Sequence, residues 1–344
     1  MKNKNYNNMD LEELSEFIES IGEKKFRAKQ LFQGIHKNKY YGIDEFTNFS
    51  LSLREKLKKH GNIVPSKIYN KLESKLDKTR KYLIELNDGN IIESVYMEYS
   101  THNTICISSQ VGCKMGCTFC ASTKQKFVRN LEPYELLNQV YTVQKDIGKR
   151  ISNIVLMGIG EPLDNYDNII KFIKILSNKD GYNISLRNIT LSTCGIVPKI
   201  YELAEENLPI NMTISLHNPF DNERKKIMPI EKKYNIKEIV DSTKYYFEKT
   251  GRRISFEYTL IEGVNDSYKH ALELRNIIRG MNCHINLIPL NKIREFNENS
   301  SSKDAINKFK NNLEKLGLNA TVRKSLGQDI SGACGQLRAA HIIK

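Results

Sequence analysis

From residue 104 to residue 323 the sequence alternates between short β-rich runs and longer helical stripes, and no other feature limits its possible folds as much. The β-type runs fall at 104–108, 153–157, 188–193, 211–216, 254–260, 284–290 and 319–323. Between them, apolar residues recur at helical spacing over 133–147, 169–176, 236–247, 269–279 and 303–316. A strand returns parallel to its predecessor only through a long crossover, so this alternation predicts βαβ units around a parallel sheet. About six or seven such units curl into a full or partial barrel. The expected fold is therefore α/β, a partial (β/α)6-type barrel, with functional groups just past the C-terminal ends of its strands.

Upstream of the barrel, residues 82–86 and 91–97 are β-rich and joined by Asn87-Asp88-Gly89-Asn90, a hairpin signal. Earlier residues read as helices. Asp10 with Glu13 forms an N-capping pattern, and Leu11, Leu14, Phe17, Ile18 and Ile21 follow at helical spacing until Gly22. Phe26, Leu31, Phe32 and Ile35 mark a second helix, and Ser50 opens a third through Leu53 and Leu57 to Gly61. Residues 1–10, polar and Asn-rich, read as a frayed tail. These signals divide the 344 residues into a small N-terminal helical domain (1–62), a β-hairpin linker (63–98) and a barrel core (99–344).

The formal net charge of +13 fits either a solvated Lys-rich surface or a polyanionic partner. Lys-rich stretches between the apolar stripes of residues 1–62 suit contact with an RNA backbone. No apolar run is long enough for a bilayer and no charged-then-apolar leader opens the chain, so the expectation is a cytoplasmic protein with no membrane partner. A monomer is the starting assumption. The seven cysteines are odd in number, which argues against a disulfide framework.

Three of them crowd into Cys113-Lys114-Met115-Gly116-Cys117-Thr118-Phe119-Cys120. Thiolates at these spacings can wrap one small centre from a single loop, and soft sulfur selects zinc, copper(I) or iron–sulfur clusters. A structural zinc site closes with four ligands, so zinc would need Cys106 or a distant His as the fourth. Three ligands alone point instead to a four-iron cluster with one iron left open. After the second strand comes Met157-Gly158-Ile159-Gly160-Glu161-Pro162, where the glycines would let backbone approach a cofactor. A Gly-x-Gly-Glu by itself is only a turn.

Cys-x3-Cys-x2-Cys at the end of the first strand of such a chain resembles the radical S-adenosylmethionine superfamily. The resemblance implies a 4Fe–4S cluster on Cys113, Cys117 and Cys120. It also implies S-adenosylmethionine on the open iron, cleaved reductively to a 5′-deoxyadenosyl radical, with Gly160 and Glu161 at the cofactor's amino group. Further runs narrow it: Ser108-Ser109-Gln110-Val111-Gly112, Leu191-Ser192-Thr193, Ile214-Ser215-Leu216-His217, Leu287-Ile288-Pro289-Leu290-Asn291 and Ala333-Cys334-Gly335-Gln336-Leu337. Together, and nearly end to end, they resemble the dual-specificity RNA methyltransferase RlmN family, which makes 2-methyladenosine in 23S rRNA and tRNA.

That family resemblance implies that Ser192, Ser215, Leu216, His217 and Asn291 contact S-adenosylmethionine. It makes Cys334 the cysteine that carries the methyl group, and Cys106 the thiol that resolves a protein–RNA crosslink through a transient disulfide. It makes Glu93 a proton acceptor and calls for an electron donor such as flavodoxin or ferredoxin. Both cysteine roles require accessible thiolates. Read from the residues alone, Cys106 is equally a strand residue facing a core, and Glu93 the solvent face of an alternating strand. The serines, His217 and Asn291 are then strand-end polars. Cys194 and Cys283 read as ordinary buried small residues. Two alternatives stand beside this reading. One is a C8 adenine methyltransferase of the antibiotic-resistance type, which carries Ala where this chain has Pro162. The other is a non-catalytic RNA-binding protein with a structural metal cluster, which leaves Cys334 and the Gly-x-Gly-Glu run without a purpose.

Overall fold

The computed structural model describes residues 4–338. Ten strands form one open sheet whose spatial order follows the chain. They are β1 (Lys67–Glu73), β2 (Arg80–Glu85), β3 (Ile91–Glu98), β4 (Asn103–Cys106), β5 (Asn153–Leu156), β6 (Ile189–Thr193), β7 (Asn211–Ser215), β8 (Ile254–Leu260), β9 (Cys283–Pro289) and β10 (Ala320–Val322). The first four pair antiparallel. From β4 to β10 every pairing is parallel. Six helical crossovers link these parallel strands, and β1 and β10 remain edges, so the sheet is the expected partial barrel.

Local sequence accounts for most of the helices. Helices α1 (Leu11–Ser20), α2 (Phe26–His36) and α3 (Leu51–His60) form the N-terminal layer. Asp10 accepts from the Glu12 and Glu13 backbone N–H groups while Glu13 reaches back to Asp10, a complete capping box. Helix α4 (Pro133–Ile147) starts at a proline behind a Glu132/Glu135 box and ends at Gly148, whose φ of 65° suits a left-handed cap. The crossovers continue with α5 (Tyr166–Ser177), α6 (Val197–Glu205), α7 (Asp221–Ile227), α8 (Ile236–Thr250), α9 (Tyr268–Ile277) and α10 (Lys303–Lys315). No helix among the described residues is long and apolar enough to cross a membrane.

The structure departs from the sequence reading at three places. Residues 4–10 are not frayed: Lys4–Asn5 pairs parallel with Gly61–Asn62, and buried Tyr6 donates its hydroxyl to the Leu57 carbonyl at 2.7 Å. Residues 1–3 of that expected tail lie outside the described residues. Strand β1 was not expected, because an exposed edge strand needs no apolar alternation; its sequence, Lys-Ile-Tyr-Asn-Lys-Leu-Glu, is mostly polar. Helices α6 and α7 were likewise unmarked by the apolar stripes.

The apolar stripes of α1 and α2 do not close on themselves. Leu14, Phe17, Phe32 and Ile35 join Leu137, Val140 and Ile173 in one contiguous core with the barrel. His36 sits in this seam with no exposed surface, its Nδ1 3.0 Å from the Tyr141 hydroxyl and its ring 4.5 Å from Phe32. Burial holds its pKa down at about 3, against 6.5 for an ordinary histidine. The unfolded chain therefore binds a proton that the folded chain refuses. This contribution to stability is present above pH 6.5 and is lost as pH falls from 6.5 towards 3. Urea unfolding as a function of pH is expected to show a His36→Phe variant losing less stability than wild type, by up to about 1.4 kcal/mol per pH unit in that window. Equal slopes would mean that His36 is protonated alike in both states.

Candidate active site

The cysteine loop follows β4 at the C-terminal end of the parallel sheet. Gly112 and Gly116 turn it, at φ 74° and 76°; a Cβ on Gly112 would lie 2.3 Å from the Lys126 carbonyl oxygen. These turns bring Cys113, Cys117 and Cys120 to the wall of one cavity. Burial pushes the Cys113 thiol up to about 12 and raises Cys117 as well, with the neighbouring thiols adding to both shifts. A bound iron centre would displace these protons, because the thiolate and not the thiol is the metal ligand.

The competing zinc site does not form. Cys106 lines a different, adjoining cavity. His217 faces the cysteine cavity, but its Nδ1 accepts the Thr259 backbone N–H at 3.0 Å, which leaves the proton on Nε2 and no free lone pair for a metal. No three His, Cys, Asp or Glu side chains among the described residues are gathered as a single metal ion requires. Three thiols spread around a shared cavity fit a larger multi-iron group.

Strand ends supply the rest of this cavity. Gly158 and Gly160 follow β5 and line the same cavity. A Cβ on Gly158 would lie 2.6 Å from the Ile107 carbonyl oxygen, and one on Gly160 would lie 2.6 Å from Gln110 Cβ. The glycines thus let this loop lie against residues 107–110, which fixes the strand-end geometry. Glu161 is 4% exposed and accepts from Leu163 N at 3.0 Å and Cys194 N at 2.8 Å. Burial raises its pKa while these donors pull it down. Ser192 and Ser215 face each other across β6 and β7, with their hydroxyls 3.5 Å apart.

His217 adopts φ 58°, and burial and Arg224 lower its pKa to about 3, so it presents a neutral N–H to the cavity. Asn291 lines the cavity too, but its amide donates to the Cys334 carbonyl and accepts from Gln328, both at 3.1 Å. Leu216 is fully buried behind the wall, where only its backbone takes part.

Cys334 borders both this cavity and a second one, and its exposed surface opens into them. Cys106 lies in the second cavity beside Val95, Met97 and Tyr99. Neither thiol is held ionised. Burial first, then Glu257, push Cys334 up to about 11 against the pull of Arg323. Burial and the charge of Cys334 push Cys106 up to about 12. Of the two cysteines expected to be accessible, Cys334 is exposed and Cys106 is buried.

Glu93 lines neither cavity. It is 1% exposed, ion-paired with Lys81 at 3.2 Å, and accepts Arg338 N at 2.9 Å. Its strand is covered on both faces, so the solvent-face reading of Glu93 fails. Cys283 is a plain core residue as expected, whereas Cys194 lines the cysteine cavity and its backbone N–H holds Glu161.

Two charged residues escaped the sequence reading. Glu257, on β8, is buried between the two cavities with Asn286 donating to it at 2.9 Å; burial raises its pKa. Arg224, on α7, has no exposed surface. Its guanidinium donates to the carbonyls of Leu216 (3.0 Å), Cys194 (2.8 Å) and Ser215 (3.1 Å), and pairs with buried Glu231. It ties the ends of β6 and β7 together beneath the cavity. No spacing rule marks a lone Arg in a charged helix as buried. Replacing it with Met strands Glu231 and three carbonyls, so Arg224→Met is expected to lose about 3–5 kcal/mol in urea unfolding. Arg224→Lys keeps the charge without the fork and should fall between. An unchanged midpoint for the Met variant would mean that the clamp contributes nothing.

Comparison with known proteins agrees with this geometry. Residues 107–274 match the radical SAM superfamily, and residues 4–63 match the ribosomal RNA large subunit methyltransferase N-terminal domain. A probable dual-specificity RNA methyltransferase RlmN from Finegoldia magna is 56% identical, covering 98% of this chain and 97% of that protein. The corresponding protein of Clostridioides difficile is 54% identical, covering 96% of each. The crystal structure of a radical SAM methyltransferase from Sphaerobacter thermophilus superposes with a TM-score of 0.93 at 38% identity, covering 97% of this chain and 99% of that one. Superfamily membership brings two cofactors, a 4Fe–4S cluster and S-adenosylmethionine. Full-length similarity to these enzymes, over a fold that gathers the cysteine loop and strand-end residues around one cavity, makes the chain a member of the dual-specificity RNA methyltransferase RlmN family, a radical SAM enzyme that methylates RNA.

Proposed function

We propose that this enzyme methylates C2 of adenosine in 23S rRNA and in tRNA, with the methyl group carried on Cys334. The observation that carries the reading is the position of Cys334, which borders the cysteine cavity on one side and the cavity of Cys106 on the other. Adenine C2 is electron-poor and offers no lone pair to a sulfonium methyl group, so a carrier that first accepts the methyl and then delivers it answers the chemical problem. When bound, the cluster and S-adenosylmethionine supply the methyl group and the radical chemistry.

In this reading Cys113, Cys117 and Cys120 hold the cluster. Gly160, Glu161, Ser192, Ser215, Leu216, His217 and Asn291 hold S-adenosylmethionine. The Nε2–H of His217 and the hydroxyls of Ser192 and Ser215 are donors suited to its carboxylate and ribose. Cys334 gives up its thiol proton and takes the methyl on sulfur. The radical chemistry would remove one hydrogen atom from that methyl and one electron from the adduct its carbon makes with C2, leaving Cys334 and the RNA joined through an S–CH2–C2 link. Cys106 then attacks the Cys334 sulfur, and the sulfur–carbon bond breaks. Its electron pair leaves with the carbon, which takes up a proton to become the methyl group on the base, and a disulfide joins the two cysteines. Glu93 accepts the C2 proton, which requires it to loosen from Lys81 and from the backbone of Arg338. We read the protein as a cytoplasmic monomer that draws electrons from a flavodoxin- or ferredoxin-type donor. Residues 1–62 are read as an accessory domain gripping RNA backbone, 63–98 as a linker and 99–344 as the catalytic core.

Nucleoside mass spectrometry on RNA from a methylation-deficient host is expected to find 2-methyladenosine with the wild-type chain and none with Cys334→Ala. The appearance of 8-methyladenosine would move the site to C8, and no methyladenosine would remove the RNA reading altogether. Deleting residues 1–62 is no test of RNA binding, because α1 and α2 share the barrel's core. Lys24 and Lys25 are exposed at the start of α2. Reversing both to Glu should weaken RNA binding at low salt and flatten the slope of log affinity against log salt by about one to two. An unchanged slope would exclude this face from the interface.

A further inference from the structure

Cys334 sits in a stretch without regular secondary structure, yet the reading above requires its sulfur to stay between two cavities. What fixes it there is a buried ion pair on the antiparallel extension. Lys81 on β2 and Glu93 on β3 are diagonal neighbours on one face, since Lys81 pairs with Val95 and Leu83 with Glu93. Both are almost fully buried and lie 3.2 Å apart. Each also holds the segment that carries Cys334. Lys81 Nζ donates to the Ser331 carbonyl at 3.3 Å, and Glu93 accepts the Arg338 backbone N–H at 2.9 Å. Ser331 precedes Cys334 and Arg338 follows it, so the pair grips the segment on both sides of the thiol.

The opposite side of the segment rests on the cysteine loop: Ala121 N donates to the Gly335 carbonyl at 2.7 Å and Ser122 Oγ to the Leu337 carbonyl at 2.8 Å. The thiol is suspended between the cluster loop and the Lys81–Glu93 pair.

We propose that Lys81 is a positioning residue for methyl transfer, acting with Glu93 as a clamp that holds residues 331–338 so that Cys334 faces both cavities. This rests on the reading of Cys334 as methyl carrier. Lys81 lines neither of the two cavities; it works through the segment it grips and through the carboxylate it holds. A lysine is suited to this because a single ammonium can serve a carboxylate and a carbonyl at once. Losing it removes the donor to the Ser331 carbonyl and one of the groups that hold Glu93, which loosens the segment at both grips.

The test uses the full chain with its cluster reconstituted anaerobically, which protects Cys113, Cys117 and Cys120. Iodoacetamide labelling is followed cysteine by cysteine by peptide mass spectrometry, with core Cys283 as the control for folding. Cys334 is already exposed, so the thiol that reports on the segment is buried Cys106, which packs against Leu337. Lys81→Met is expected to speed labelling of Cys106 about tenfold and to slow methyl loading from S-adenosylmethionine about tenfold at unchanged half-saturation. Lys81→Arg should restore both to within about twofold. If Lys81→Met keeps Cys283 protected and leaves Cys106 labelling or loading unchanged, the clamp is refuted. If Lys81→Met exposes Cys283, the double variant Lys81→Met/Glu93→Gln, which removes both members of the pair, is measured instead; unchanged Cys106 labelling there also overturns the proposal. Wild-type enzyme that never gains a methyl on Cys334 defeats the carrier reading, while labelling still decides whether Lys81 holds the segment.

Discussion

Beneath the cysteine cavity, Arg224 holds three carbonyls and a carboxylate with one planar guanidinium, and the cofactor end of the site depends on it. Parallel strands end in unpaired carbonyls, and at the mouth of an open barrel those groups would need water. Water is what a radical site must exclude. A buried Arg solves this by supplying five donors in a fixed fork, provided that its own charge is matched, as Glu231 matches it here. With the ends of β6 and β7 tied, Cys194 can present its N–H to Glu161, and Ser215 and His217 keep their places. Burial first, and the same guanidinium after it, depress the pKa of His217, which keeps that ring neutral where it lines the cavity.

The carrier end is built on a different principle. The Cys334 segment is held by hydrogen bonds as well as by the packing of Leu337 against Val95, Cys106 and Ile159, with Asn291 bonded to the Cys334 carbonyl and Gln336 to that of Lys292. Asn291 therefore stands between two tasks. Its amide faces the cysteine cavity, where the family resemblance assigns it to S-adenosylmethionine, and in this structure it serves the carrier segment. Any ligand that draws the amide away also loosens the segment. The cofactor site and the carrier are thus linked through one side chain.

The order of elements was legible in the sequence because parallel strands buried on both faces must read as apolar runs separated by helices, and few folds satisfy that. The cysteine loop was legible because metal-ligand spacing is local. What was hidden depends on the third dimension. Strand β1 is an exposed edge with no pattern to find, and Tyr6 is buried only because Gly61 returns to lie against the first residues. Arg224 and Glu257 look like surface charges until the helix and strand bearing them close over the cavities. Glu93 was misplaced by a rule of alternation that holds for sheets with one wet face; β3 has none, because Ser94 meets Gln139 of α4 on one side and the Cys334 segment covers the other. Glycines 158 and 160 carry a further constraint that the local motif does not show, since neighbouring backbone and side chains forbid a Cβ there.

Two cavities meeting at one cysteine impose an order on the chemistry. Cys334 shares the first with Cys113, Cys117 and Cys120 and the second with Cys106. A sulfur fixed at that boundary can be loaded from one side and discharged to the other with little displacement. The high pKa values of both thiols then become useful rather than obstructive. Two ionised cysteines side by side would repel each other and invite premature oxidation, whereas two protonated ones wait. Burial is the first cause that keeps Cys106 protonated, and an ionised Cys334 would add to it, so the two sulfurs do not carry charge together while they face each other across the cavity boundary.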